Sequence, residues 1–206
     1  TDRQFQRLQE VWANYPDQHI ANWHKFIAWT GSRPSEPLRL EWKDVDFENG
    51  FLLKRKTKSG KTVEVRMNDT VRGVLIAQRK LLDISPKEMR ESGYVFPKKD
   101  GGMRHRDSNK RHFQAIRKAA GIPQEYRPNY CLRDTIASRM LSQGSTLDEV
   151  AVLLGHEPGS PMTKRYARFI PEAQQRIANQ AESVMKGMLE NGKVANFESS
   201  MNENNN

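Results

Sequence analysis

Apolar residues along this chain recur at helical spacing in segment after segment, and with a period of two in one place only. Phe5, Leu8, Val11 and Trp12 mark a helix that stops before Pro16, and Ile20, Trp23 and Ile27 repeat the pattern up to Gly31. Only FLLKRKTKSGKTVEVRM, residues 51–67, reads as two strands joined by a turn at Ser59-Gly60. This contrast predicts a mainly α domain with a small antiparallel β-sheet, an α+β fold.

The remaining segments fit that frame. A short helix after Pro34 carries Leu38 and Leu40. Asn68 caps a helix running to about Leu82. A loop with Pro86 and Pro97 encloses a short strand, Tyr94-Val95-Phe96, and another helix spans roughly Asp107 to Ala119. YCLRDTIASRMLSQG supplies Leu132, Ile136, Ala137, Met140 and Leu141 as a buried stripe that ends at Gly144. Thr146 and Glu149 form a capping box ahead of Leu147, Val150, Ala151 and Leu154, and Gly155 ends that helix with His156 just beyond it. Ile177, Ala181, Val184 and Met188 stripe a last helix, so residues 1–190 are expected to form one domain. The polar, slightly acidic residues 191–206 are expected to be a disordered tail. No internal repeat is visible.

Charge narrows the partners. The formal net charge is +9 and the pI near 9.7, and the cations are clustered. Lys54, Arg55, Lys56, Lys58, Lys61 and Arg66 face only Glu64 within residues 54–66. Lys98, Lys99, Arg104, Arg106, Lys110, Arg111, Arg117 and Lys118 face only Asp100 and Asp107 within residues 98–118. Two such stretches favour a nucleic acid over a merely solvated face. There is no long apolar run and no charged-then-apolar leader, so neither a membrane nor secretion is expected. The single cysteine, Cys131, suits a reducing compartment, and a cytoplasmic location follows. His19, His24, His105 and His112 lack ligand spacing, and no metal is expected.

Near the end of the patterned region, LLGHEPGSPMTKRYARF surrounds Tyr166 with Lys164, Arg165 and Arg168. A buried phenol needs one hydrogen-bond partner and apolar neighbours, so three cations imply an anion. Cleaving a phosphodiester through a tyrosine requires fixed cations on the non-bridging oxygens, and arginine suits this because its guanidinium is permanently charged and forks onto two oxygens. It also requires a proton donor for the leaving oxygen and a phenol made usable by adjacent charge. The chain contains such a set. Arg33 follows a Gly-Ser turn with Glu36 three residues on, Lys58 stands at the hairpin tip, and Arg133, His156 and Tyr166 come from three later segments.

Taken in order, TGSRPSE, TKSGK, LRDTIASRM, LLGH and RYA resemble the successive motifs of the tyrosine recombinase (phage integrase) catalytic domain, over about Arg7 to Phe169. The resemblance implies the fold of that domain and a DNA-cutting and rejoining enzyme. In it Tyr166 attacks a phosphate to leave a 3′-phosphotyrosine, and Arg33 and Arg133 clamp that phosphate. Lys58 protonates the leaving 5′ hydroxyl and His156 donates a hydrogen bond to the phosphate. It implies no cofactor or metal, integration or excision of a phage or other mobile element, and a bacterial or phage-infected host cell. The partners would be double-stranded DNA, with Lys54, Lys56, Lys61, Arg104, Arg106, Lys110, Arg111, Lys164 and Arg165 as DNA-binding cations, and other protomers reached through the C-terminal helix. The family usually carries an amino-terminal DNA-clamping domain as well. A chain that opens at Thr1, where the catalytic domain would begin, is expected to be a truncated integrase. Two departures stand out. Tyr130 occupies the place three residues before the second arginine where the family usually has histidine, and the interval from His156 to Tyr166 is one residue longer than the commonest form.

Taken singly, these residues have plainer readings. Arg33 pairs with Glu36, Lys58 decorates a turn, His156 caps a helix, and Glu36, Tyr130 and Asp134 serve structure, the reading preferred for Asp134. Two other functions compete with the enzyme: a catalytically impaired DNA-binding relative with a regulatory role, and a metal-dependent nuclease, which would want clustered carboxylates near the basic face.

Overall fold

The structure is a computed structural model that describes residues 1–55, 62–105, 107–125, 130–157, 159–167 and 170–203. It is mainly helical, with one small antiparallel sheet, as the periodicities predict. Helices α1 (Asp2–Ala13) and α2 (Gln18–Thr30) start on side-chain caps. Thr1 and Gln4 close a capping box, and Asp17 accepts the Ile20 N–H at 3.1 Å. The sheet runs β1 (Val45–Asp46), β2 (Phe51–Lys54), β3 (Val63–Arg66), each strand antiparallel to the next, with Leu52 opposite both Val45 and Val65. Then come α3 (Asp69–Asp83), capped by Asn68 as expected, the single turn α4 (Lys87–Arg90), α5 (Lys110–Ala119), α6 (Tyr130–Ser142), α7 (Leu147–Leu154), the short α8 (Pro161–Lys164) and α9 (Ile170–Glu203).

Two cores hold these elements. The larger joins α1, α2, α3 and α5 to the sheet through Trp12, Trp23, Phe26, Leu52, Leu75, Phe96 and Phe113, and Leu132 ties the start of α6 to it. The smaller gathers Ala137, Leu141, Val150, Leu154 and Tyr166 from α6, α7 and the turn after α8. Gly31 lies where they meet. Its φ of 61° ends α2, and a Cβ there would come within 3.2 Å of Ile136 Cγ2 and Leu154 Cδ2, so glycine suits both the turn and the close approach.

Three expectations are corrected. Tyr94-Val95-Phe96 is no regular strand: Tyr94 makes an isolated bridge to Glu41, with the Val95 N–H donating to the Leu40 carbonyl at 2.9 Å, while Val95 and Phe96 are buried as core plugs. The sheet gains β1, which two residues are too few to announce by alternation. The segment after Pro34 forms a 3₁₀ turn, Pro37–Arg39, and α5 begins at Lys110 after a turn at 107–109. Helix α9 runs on to Glu203.

Candidate active site

Arg33 enters the site from the turn after α2. Thr30 Oγ1 donates to the Phe26 carbonyl at 2.7 Å and lies 2.6 Å from Ser32 Oγ, which fixes the chain just before Arg33. Glu36 then braces the arginine twice. One carboxylate oxygen accepts the Arg33 N–H at 3.1 Å and the other accepts Nη1–H at 2.8 Å. Burial alone would push the Glu36 carboxyl up, but Lys54, the Arg33 hydrogen bond and the nearby Arg133 outweigh it and hold it below its ordinary value.

Lys54, expected among the DNA-binding cations, is a buried residue of β2. It shares the inner face of β2 with Leu52, its side chain is 8% exposed, and Nζ lies 3.6 Å from Glu36 Oε2 without a hydrogen bond. Burial lowers its pKa, with Arg133 and Arg33 adding to the effect and Glu36 opposing.

Arg133 is 3% exposed on the first turn of α6. Its guanidinium donates through Nη1 to the Gly31 carbonyl and through Nη2 to the Leu154 carbonyl at 2.8 Å, and Nη2 lies 2.9 Å from His156 Nε2. Burial and the repulsion of Arg33 lower its pKa to about 10. Because arginine only donates, His156 Nε2 accepts, and the ring proton sits on Nδ1, 2.8 Å from Thr163 Oγ1. Burial first, then Arg133, Arg33 and Arg165, push the imidazole down to about 4. The ring is therefore neutral and faces Arg133 as an acceptor, whereas the resemblance implies a donor toward a phosphate.

Tyr166 follows α8, and its ring is 3% exposed within the smaller core. The phenol donates to Asp134 Oδ1 at 2.6 Å. Arg165 Nη2 contacts both the phenol oxygen and Asp134 Oδ1, and its guanidinium stands 4.7 Å from the ring centroid. Burial and the Asp134 hydrogen bond raise the phenol pKa, with Arg165 opposing. The anion implied by the cations around Tyr166 is thus supplied, in part, by Asp134 of the same chain.

The structure gathers Arg33, Glu36, Arg133, His156 and Tyr166: the charges of Arg33, Glu36 and Tyr166 act on Arg133, and those of Arg133, Arg33 and Glu36 act on His156. Tyr130 sits one turn before Arg133 at the start of α6 and is exposed. Lys110, Arg111, Lys164 and Arg165 are exposed, although Arg165 is engaged as described. Arg104 is half-buried, donating from Nε to the Pro97 carbonyl at 2.7 Å and from Nη1 to Asn109 at 3.4 Å, so it ties a loop together. Lys56, Lys58, Lys61, Arg106 and Arg168 lie outside the described residues. Sequence reasoning gave Asp134 a structural role and overlooked Thr163; the available signal for the first was a carboxylate directly beside Arg133, and for the second there was none. Among the described residues no group of His, Cys, Asp and Glu is arranged to hold a metal, and no helix is long and apolar enough to cross a membrane.

Known proteins share this arrangement of elements. The profile of the Phage integrase family matches residues 2–172, most of the chain, and the chain belongs to that family. It is similar to a tyrosine recombinase XerC-like protein of Caldanaerobacter subterraneus subsp. tengcongensis, 27% identical over 173 residues, which cover 69% of this chain and 44% of that protein. The chain thus spans less than half the length of that relative. Among solved structures it is similar in fold to XerH recombinase bound to palindromic difH substrate in a post-cleavage complex (TM-score 0.68, 21% identity, 88% of this chain and 51% of that one). It is also similar to XerA recombinase (TM-score 0.66, 20% identity, 88% and 62%) and to a lambda integrase tetramer bound to a Holliday junction (TM-score 0.60, 18% identity, 81% and 46%).

Proposed function

We propose that this chain is the catalytic part of a site-specific DNA recombinase that cuts and rejoins strands through a 3′-phosphotyrosine. The observation that carries the reading is the convergence of Arg33, Arg133, His156 and Tyr166, drawn from four separate segments, on one cationic site of a phage integrase family domain. Arg33, oriented by Glu36, and Arg133, anchored on two carbonyls, bind the non-bridging oxygens of the scissile phosphate and stabilise the charge that develops as phosphorus becomes pentavalent. Tyr166 oxygen attacks, the 5′ oxygen leaves with a proton from Lys58, and the ester keeps the bond energy for rejoining. No metal or cofactor enters this scheme because the chain supplies the cations. Tyr130, one turn from Arg133, supplies a phenol where the family's histidine would donate to the phosphate.

The partners in this reading are duplex DNA, engaged by exposed cations such as Lys110, Arg111 and Lys164, and further protomers. The protomer contact falls on α9, where Ile177 is 50% and Met188 63% exposed in a stripe with Val184 and Met185. Residues 1–190 form the catalytic unit with its docking helix, and integration or excision of a mobile element is the biological setting.

The test is covalent capture. Nicked duplexes of randomised sequence, incubated with the protein in a metal chelator, yield a protein–DNA adduct on a denaturing gel. Tyr166→Phe binds the same duplexes and yields none. An adduct in that variant reassigns the nucleophile; activity that appears only with divalent metal favours a nuclease; binding without any adduct favours the regulatory relative.

A further inference from the structure

The reaction proposed above leaves the phenol proton without a destination, and the structure supplies one. We infer that Asp134 is the catalytic base that takes the Tyr166 proton as the phenol oxygen attacks, an inference that rests on the recombinase reading. Among the described residues Asp134 Oδ1 is the acceptor of the Tyr166 hydroxyl, at 2.6 Å, the distance of a charge-assisted O–H···O⁻ bond. Arg165 touches the same phenol oxygen and lies over the ring, so charge that develops on the oxygen as the proton leaves meets a guanidinium already in place.

The placement is firm. Asp134 follows Arg133 on α6, and consecutive helical residues point about 100° apart. One turn of helix thus sends Arg133 inward to the Gly31 and Leu154 carbonyls and Asp134 toward the phenol. The Asp134 side chain is 48% exposed, so its carboxyl exchanges protons with water and can be reprotonated before rejoining. In balance, the Tyr166 O–H bond breaks and its proton passes to Asp134 Oδ1. A bond forms from the phenol oxygen to phosphorus while the bond from phosphorus to the 5′ oxygen breaks, and that oxygen takes its proton from Lys58. On rejoining, the 5′ oxygen bonds to phosphorus as its proton passes back to Lys58, the bond from phosphorus to the phenol oxygen breaks, and Asp134 returns its proton to that oxygen.

A merely structural Asp134, an anchor for Tyr166 and Arg165, predicts different kinetics. Asp134→Asn keeps the shape and an acceptor oxygen but accepts no proton. Single-turnover adduct formation, on nicked duplexes captured by the wild-type protein, is measured with an ordinary phosphodiester and with a 5′-bridging phosphorothiolate, whose thiolate leaves without an acid. The expected result is a slowing of Asp134→Asn by roughly 10²–10⁴-fold on both substrates. Lys58→Ala should be slow on the first substrate and restored on the second. Replacing Tyr166 by 3,5-difluorotyrosine, a more acidic phenol, should recover much of the Asp134→Asn loss even if that variant is less stable. Asp134→Asn cleaving at the wild-type rate, Asp134→Ala forming adduct faster than wild type, or fluorotyrosine giving no recovery overturns the assignment. If the wild-type chain forms no adduct on either substrate, the recombinase reading falls and this inference with it.

Discussion

Arg133 is both a candidate phosphate ligand and a structural tie, and Arg133→Lys separates the two. Lysine keeps the charge, but one ammonium cannot reach the Gly31 and Leu154 carbonyls and His156 Nε2 together as the fork does. A hydrogen bond from a charged donor contributes about 1.5–3 kcal/mol, and at 3% exposure no bulk water replaces the lost partner. The substitution should therefore cost about 2–4 kcal/mol, or roughly 5–15 °C in Tm for a chain of this size. Arg33→Lys is the comparator. Arg33 pairs locally with Glu36 and its side chain is 23% exposed, so its loss should cost about 1 kcal/mol or less. Urea unfolding followed by the fluorescence of the buried Trp12 and Trp23 reads both as midpoint shifts at constant m. Both variants should lose DNA cleavage. Equal midpoint shifts, or an unmoved midpoint in Arg133→Lys, would refute the idea that α2, α6 and α7 are held together through this guanidinium.

His156 is held near pKa 4 against an ordinary 6.5, so between those values the unfolded chain binds a proton that the folded chain refuses. Its contribution is complete above about pH 6.5 and declines as pH falls toward 4, by at most about 3 kcal/mol and less after solvent screening. The stability difference between wild type and His156→Asn should follow that slope, and a flat difference counts against a neutral ring. Thr163→Val leaves His156 Nδ1–H without its partner and should lower stability by about 1 kcal/mol in urea melts while slowing cleavage; no change in either would mean that Arg133 alone holds the ring. Gly31→Ala places a Cβ 3.2 Å from Ile136 and Leu154 at a φ of 61° and should cost roughly 2–4 kcal/mol, with loss of cleavage because the Gly31 carbonyl positions Arg133; a fully active variant would show that the turn yields.

Much of this arrangement was legible in the sequence because local rules govern it. The caps at Thr146 and Asn68 and the glycine stops at Gly31 and Gly155 set helix ends within a few residues of where they fall. The order of the motifs placed Arg33, Arg133, His156 and Tyr166 in one family domain. What stayed hidden depends on tertiary contact or on a misleading average. Lys54 was counted as one cation of a basic stretch, although the period of two in Phe51-Leu52-Leu53-Lys54 puts it on the same side as buried Leu52. Asp134 and Tyr166 are 32 residues apart, and no spacing rule announces that a carboxylate on α6 meets a phenol beyond α8.

The charges of the site also bear on the order of events. Arg33, Arg133 and Arg165 depress His156, and Arg33 depresses Arg133, because several cations share a half-buried volume with few anions. Glu36 offsets part of that repulsion, and Asp134 is occupied with Arg165 and Tyr166. On the recombinase reading, a phosphodiester bound beside Arg33 and Arg133 adds negative charge, which favours the protonated form of the His156 ring. For His156 the consequence is qualitative. A ring that gains a proton can no longer accept from Arg133 at Nε2, so the two must part, and Nε2–H becomes a donor for the anion that caused the change. On the recombinase reading, the acceptor seen in this structure and the donor implied by the family would then be one residue in two states, with the bound phosphate as the switch between them.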